Sequence, residues 1–207
     1  MEGNIRVLIA DDHAIVRVGL ATLLARTPGI EVVGEASNGN AAVAKAVKLA
    51  PDVVVLDLMM PKKNGVAATV EIHAKAPGTK ILLLTSFGTS DMISKALASG
   101  AGGAILKSSS NSELVSAIRK VAAGKRTVSP DIEHMLANDP PMQELSPRQR
   151  NILEYITHGF TNAQIADHFG ISPESVKTHV ARLFEKIGAA SRSEAASIAL
   201  RKHLLKI

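Results

Sequence analysis

Val53-Val54-Val55-Leu56 constrains this chain most: an unbroken apolar run, mostly β-branched, that ends in a carboxylate, Asp57. Such a run reads as a strand buried on both faces, the kind found in the middle of a parallel sheet. Loops at the carboxyl ends of parallel strands are where such sheets place their chemistry. Pro61 stops the extended segment, and Asn64-Gly65 marks a turn. An aspartate that ends a strand is often only a helix cap. Its surroundings decide between the two readings.

Those surroundings repeat one pattern. Ile5–Ala10 is a first strand, followed at once by Asp11-Asp12-His13. Ile15, Val16, Leu20, Leu23 and Leu24 then recur at helical spacing. Residues 31–36 and 79–85 and the stretch 104–107 predict further strands. Helices are expected over 41–49, 65–75, 91–99 and 112–123. Five strands alternating with helices predict a doubly wound parallel sheet covered on both faces. With aromatics at only 2%, its core must be aliphatic.

In such a sheet the strand ends share one edge. Asp11 and Asp12 follow the first strand, Asp57 the third, Thr85 the fourth and Lys107 the fifth. Two like charges roughly 4 Å apart repel by about 4 kcal/mol at an effective dielectric near 20. Three converging carboxylates therefore need a cation or must take up protons. Oxygen donors in an open site suit Mg²⁺, which keeps waters and binds phosphate oxygens. Lys107 and Thr85 add a cation and a hydroxyl for a phosphoryl group.

With Pro61 and Gly65 after the acid, these residues make the stretch 5–123 resemble the receiver domain of bacterial two-component response regulators. The resemblance implies strand order 2-1-3-4-5. It implies that Asp57 accepts a phosphoryl group from the phosphohistidine of a sensor histidine kinase. Asp11, Asp12, Asp57 and the carbonyl of Met59 would hold Mg²⁺. Lys107 would pair with phosphoryl oxygens, and Thr85 would move to contact them. Two positions depart from the pattern. Ala104 stands where receivers usually carry a switch aromatic, and Ser108 where many carry a proline. Phe87 is the nearest aromatic able to take the missing ring's place.

Residues 124–145 read as a linker, with Asn138-Asp139-Pro140-Pro141 unable to join regular structure. Asp131–Ala137 could form one short helix within it. The remaining residues, 146–207, change character: no strand candidate and four helices. Ser146-Pro147-Arg148-Gln149, Thr161-Asn162-Ala163-Gln164 and Ser191-Arg192-Ser193-Glu194 are capping boxes. A short helix, a turn at Gly170 and a longer helix after Ser172-Pro173 form a helix-turn-helix. On that longer helix Val176, Val180, Leu183 and Ile187 fall within about 60° at 100° per residue, so they form the core stripe. Thr178, Ala181, Arg182 and Glu185 lie opposite, with Lys177 on the flank. Short polar and basic side chains on such a face suit the major groove. Nine Lys/Arg against five Asp/Glu in residues 146–207 agree with a nucleic-acid partner.

Leu145-Ser146-Pro147-Arg148, Gly159-Phe160-Thr161-Asn162 with Ile165-Ala166, and Ser175-Val176-Lys177-Thr178-His179-Val180 resemble the DNA-binding domain of NarL/LuxR-class regulators. By that resemblance Ser175, Lys177, Thr178 and the position of Ala181 face double-stranded DNA, with Arg182 beside them. Ser191 and Arg192 would touch phosphate, and the last helix would form a homodimer. The chain has no cysteine, hence no thiolate metal site, and none of its seven histidines shows metal spacing. No apolar run approaches a membrane span and no signal sequence is visible, which predicts a soluble cytoplasmic protein. The expectation is a phosphorylation-dependent transcription regulator, not an enzyme. An aspartyl phosphatase of the haloacid dehalogenase kind would need an acid two residues after its nucleophile. That position is Met59. A DNA binder whose receiver is never phosphorylated has only Ala104 in its support.

Overall fold

The computed structural model describes residues 3–86, 90–138, 145–201 and 204–205. The chain divides into two compact units, Met1–Pro140 and Pro141–Ile207.

The first unit is a parallel sheet of six strands: β1 (Ile5–Ala10), β2 (Ile30–Ala36), β3 (Val53–Leu56), β4 (Lys80–Thr85), β5 (Gly103–Leu106) and β6 (Thr127–Val128). Their order is β2-β1-β3-β4-β5-β6. The helices are α1 (Ala14–Ala25), α2 (Gly39–Leu49), α3 (Gly65–Lys75), α4 (Ser90–Ala98), α5 (Asn111–Ala122) and α6 (Pro130–Asn138). All four residues of β3 are buried, as its unbroken apolar run requires.

Successive strand residues face opposite sides, so the run feeds two cores. Leu8, Val54, Leu56, Ile81 and Leu83 pack with Ala42, Ala46, Ala68, Ile72, Ile93 and Ala96, from α2, α3 and α4. Val7, Ile9, Val53, Val55, Leu82 and Leu84 pack with Leu24, Leu114, Ile118 and Val121, from α1 and α5. The alanines on α2 and α3 let those helices lie close to the sheet. Capping sets the helix starts. Asn38 and Asn64 accept from the Ala41 and Ala67 backbone N–H groups. Ser110 and Glu113 form a reciprocal capping box at α5.

The expected linker begins later than its composition suggests. Residues 127–138 belong to the first unit. β6 extends the sheet beyond β5, pairing Gly103 with Thr127 and Ala104 with Val128. In α6, Ile132 is fully buried in the core that also holds Ala104, Ile93 and Ala96. A two-residue strand carries no hydrophobic period to read. What admits it is Gly103: a Cβ there would run into the Thr127 carbonyl oxygen.

The second unit holds α7 (Pro147–Thr157), α8 (Asn162–Phe169), α9 (Pro173–Ile187) and α10 (Arg192–Arg201). Full capping boxes open α7 and α8, and Gly170 closes α8 in the left-handed conformation. At α10 the box is altered: Ser191 Oγ accepts from the Glu194 N–H, while Glu194 accepts from the Ala190 N–H. The core is aliphatic and includes Ile152, Leu153, Ile165, Val176, Val180, Leu183, Ile187 and Ile198. Tyr155, Phe160 and Phe169 pack edge to face at its margin.

Candidate phosphoacceptor site and DNA-facing helix

The strand-end residues of the first unit converge. Asp11, Asp57 and Thr85 are buried, at 1%, 3% and 0% exposure. The Asp57 N–H donates to the Ala10 carbonyl (2.8 Å) and the Lys107 N–H to the Thr85 carbonyl (2.8 Å), so sheet backbone holds each loop. Lys107 Nζ lies 2.6 Å from Asp11 Oδ2 and 2.9 Å from Asp57 Oδ2. One ammonium thus bridges two buried carboxylates. Burial pushes the Asp57 carboxyl above its ordinary range, and the Lys107 contact only partly reverses this. Burial opposes the Lys107 charge too, but its bonds to Asp11 and Asp57 prevail and raise its pKa.

One cation among three acids leaves negative charge to be met. Ligand atoms of Asp11, Asp12, His13 and Asp57 all lie within 4.8 Å of one another. Carboxylate oxygens dominate this set, which suits a hard divalent ion such as Mg²⁺. Thr85 Oγ1 is buried and has no hydrogen-bond partner. An orphaned donor costs stability unless something arrives to accept from it. The residues present therefore fit both a cation and an anionic oxygen group.

The loop from β3 to α3 is held by close backbone approach. A Cβ on Gly65 would lie 2.5 Å from the Asp57 carbonyl oxygen and 2.7 Å from Leu58 Cα. Only glycine lets α3 start this near the acceptor. The Met59 N–H points to Asp57 Oδ1 at 3.4 Å, and its side chain is 42% exposed beside the site. Ala104 is fully buried, facing Leu83 and Val128 in the sheet. Phe87 lies outside the described residues.

One supporting residue escaped the sequence reading, and His13, which follows the acid pair, joins it. Arg17 donates to the carbonyls of Asp11 (2.8 Å) and Asp12 (3.1 Å), fixing the turn that carries both acids. Its place on the first helix, one and a half turns after the acid pair, was the available signal. His13 donates its backbone N–H to Asp11 Oδ1 (2.9 Å), and its ring Nδ1 lies 2.8 Å from Asp12 Oδ1.

In the second unit α9 divides as its periodicity requires. Val176, Val180, Leu183 and Ile187 are buried. Ser175, Lys177, Thr178, Ala181 and Arg182 are exposed. Ser172 caps the helix by accepting from the Ser175 N–H (3.2 Å). Ser191 is exposed, but Arg192 is engaged inside the domain. Its guanidinium donates to the Phe160 carbonyl and to Asn162 Oδ1 (3.2 Å), tying α10 to the start of α8. Burial lowers the Arg192 pKa.

A receiver-type acid pocket followed by a helix-turn-helix defines a class, the response regulators with a DNA-binding output. Comparison with known families agrees: residues 7–119 match the response regulator receiver domain, and 143–199 the bacterial regulatory proteins of the luxR family. The chain belongs to the LuxR-family response regulators, a family of transcription regulators. It is 37% identical over 209 residues to the transcriptional regulatory protein LiaR of Bacillus subtilis, covering 97% of this chain and 99% of that protein. It is 35% identical over 208 residues to the response regulator VraR of Staphylococcus aureus, covering 98% and 100%. Among solved structures, the response regulator ChrA of a heme-sensing two-component system matches at 35% identity and TM-score 0.60, over 99% of this chain and 100% of that one. The RcsB–DNA complex matches at 25% identity and TM-score 0.71, over 97% and 99%. Among the described residues no helix is long and apolar enough to cross a membrane.

Proposed function

We propose that the chain takes a phosphoryl group on Asp57 from a sensor histidine kinase and, so modified, binds double-stranded DNA as a homodimer. The observation that carries this reading is the pairing of buried Asp57 with Lys107 at 2.9 Å beside the unpartnered Thr85 hydroxyl. The domain assignment follows: residues 1–123 contain the acceptor pocket, 146–207 bind DNA, and the connection between them starts after α6. A DNA partner puts this work in the cytoplasm.

In the transfer, an Asp57 carboxylate oxygen attacks phosphorus as the P–N bond to the donor histidine breaks. The electron pair of that bond leaves with the imidazole. Asp11, Asp12, Asp57 and the Met59 carbonyl would hold Mg²⁺, which when bound supplies positive charge against the phosphoryl oxygens. Lys107, already bridging Asp11 and Asp57, passes one of its bonds to a phosphoryl oxygen. Thr85 Oγ1 then has an acceptor. The charged Lys107 at 2.9 Å favours the carboxylate form of Asp57, against the burial that opposes it.

The exposed face of α9 supports major-groove contact by Ser175, Lys177, Thr178, Ala181 and Arg182. Ser191 can reach phosphate from the start of α10, whereas Arg192 acts chiefly as a positioning residue between helices. The test is incubation with a small-molecule phosphate donor and Mg²⁺, read by intact mass and DNA binding together. Wild type should gain one phosphoryl group and affinity, and Asp57→Asn neither. Undiminished uptake by Asp57→Asn would refute the assignment.

A further inference from the structure

The edge of the receiver sheet carries a feature that the phosphoacceptor reading leaves unexplained. β6 and α6 lie over β5 and α4, and they are the last elements before the second unit. Their hold is short. Beside the two-residue ladder that pairs Gly103 with Thr127 and Ala104 with Val128, the Thr127 N–H donates to the Gly102 carbonyl (3.1 Å) and the Ser129 N–H to the Ala104 carbonyl (3.0 Å). Ile132 is the one α6 side chain that is fully buried, while Met135 and Leu136 are partly buried. The seam between β6 and α5, on the sheet face opposite Ile132, is incompletely filled. A pocket of about 290 Å³ lies there, lined by Ile105, Ser112, Ser116, Thr127 and Ser129 among others. The Ser129 hydroxyl oxygen is buried without a partner. A short edge strand over an open seam is the kind of contact that opens locally before the core does.

Ile132 is seated among groups that the acceptor can move. It shares a core with Ile93 and Ala96 of α4, Ala104 of β5 and Leu83 of β4. Thr85 ends β4, two residues past Leu83, and pairs with Leu106 of β5. A phosphoryl group on Asp57 gives the orphaned Thr85 hydroxyl an acceptor and draws the end of β4 toward it. α4 follows Thr85 in the chain and forms one wall of the Ile132 seat. Packed cores respond to such shifts by changing arrangement rather than by stretching. The residue beneath the segment is the small, fully buried Ala104, where a switch aromatic would otherwise stand.

We propose that β6–α6, residues 127–138, is a displaceable strap: docked through Ile132 when Asp57 is unmodified, and loosened when Asp57 carries a phosphoryl group. This rests on the phosphoacceptor reading. The strap replaces a switch aromatic as the reporter of the modified state. Because it is joined in sequence to the second unit, its release lengthens the free chain between the units.

The chain has no cysteine, so one introduced thiol reports alone. The experiment places Ile132→Cys in the full chain and measures its rate of reaction with a maleimide. Glu133→Cys, exposed on the same helix, calibrates the unprotected rate. Phosphoryl content is read by intact mass on the same samples after treatment with a small-molecule phosphate donor and Mg²⁺. Ile132→Cys should react at least tenfold more slowly than Glu133→Cys before treatment. Its rate should rise at least fivefold after it, and not in an Asp57→Asn background. Met135→Cys repeats the measurement in case loss of the isoleucine itself loosens the helix. Thr127→Pro, which removes the hydrogen bond to Gly102, should speed labelling without any phosphoryl group. Full phosphorylation with unchanged labelling of both thiols overturns the strap while leaving the acceptor reading intact. Fast labelling of both before treatment also overturns it. Absence of phosphoryl uptake by the Glu133→Cys chain defeats the acceptor reading and takes the strap's trigger with it.

Discussion

Ile132→Ala tests whether α6 is part of the receiver core or a passenger in a linker. The side chain is 0% exposed and shares one buried core with Ile93, Ala96 and Ala104. The substitution removes three carbons, a transfer loss of about 2.4 kcal/mol at ~0.8 per buried methylene. An unrelaxed cavity adds to this, within the ~2–5 kcal/mol range of buried isoleucine truncations. A value of about 3 kcal/mol is therefore expected. For a unit the size of Met1–Pro140, an unfolding entropy of ~2.1 cal/mol/K per residue makes 1 kcal/mol worth roughly 3 °C. The melting temperature of fragment 1–140 should fall by about 10 °C. Far-UV circular dichroism suits the assay, since the chain has no tryptophan. Exposed Glu133→Gln should stay within about 0.5 kcal/mol of wild type. A drop below roughly 3 °C for Ile132→Ala would refute the packing argument. Residues 124–138 would then behave as the linker their composition suggests.

The raised pKa of Asp57 means that the native state binds this proton more tightly than the unfolded chain. Ionised Asp57 is thus a cost that sets in as pH rises from the unfolded carboxylate value through the raised native one. Without metal, Asp57→Asn should gain stability over wild type as pH climbs through that window, and urea midpoints that stay parallel with pH would contradict this. Ala50 closes α2 in the left-handed region at φ 42°. Ala50→Gly should therefore stabilise by about 0.5–1 kcal/mol, checked by urea denaturation. Lys177→Ala and Arg182→Ala should each weaken DNA binding by about 1–3 kcal/mol at fixed salt if they contact bases, and titration of both variants against the operator decides it. Arg192→Ala should lower the melting temperature of the second unit by freeing α10 from Phe160 and Asn162. A reduced salt slope with unchanged melting would instead make Arg192 a phosphate contact.

Local chemistry was enough to read the five principal strands, the capped helices and the acid pocket. Period and burial coincide there: β3 is apolar without a break because both its faces are covered. Parallel strands bring Asp11, Asp57, Thr85 and Lys107 to one edge whatever the loops do, so the pocket followed from strand ends alone. The buried stripe of α9 was legible for the same reason, since one helical period decides which side faces the core. Tertiary structure decided what depends on contacts between distant segments. Thr127-Val128 becomes a strand only because Gly103 leaves room for it, and Ile132 becomes core only because α4 and β5 present a hollow. Arg192 carries the same charge in either role, but the Phe160 carbonyl within its reach turns it inward. A sequence states which groups want burial or a partner; which partner arrives is set by the distances that folding imposes.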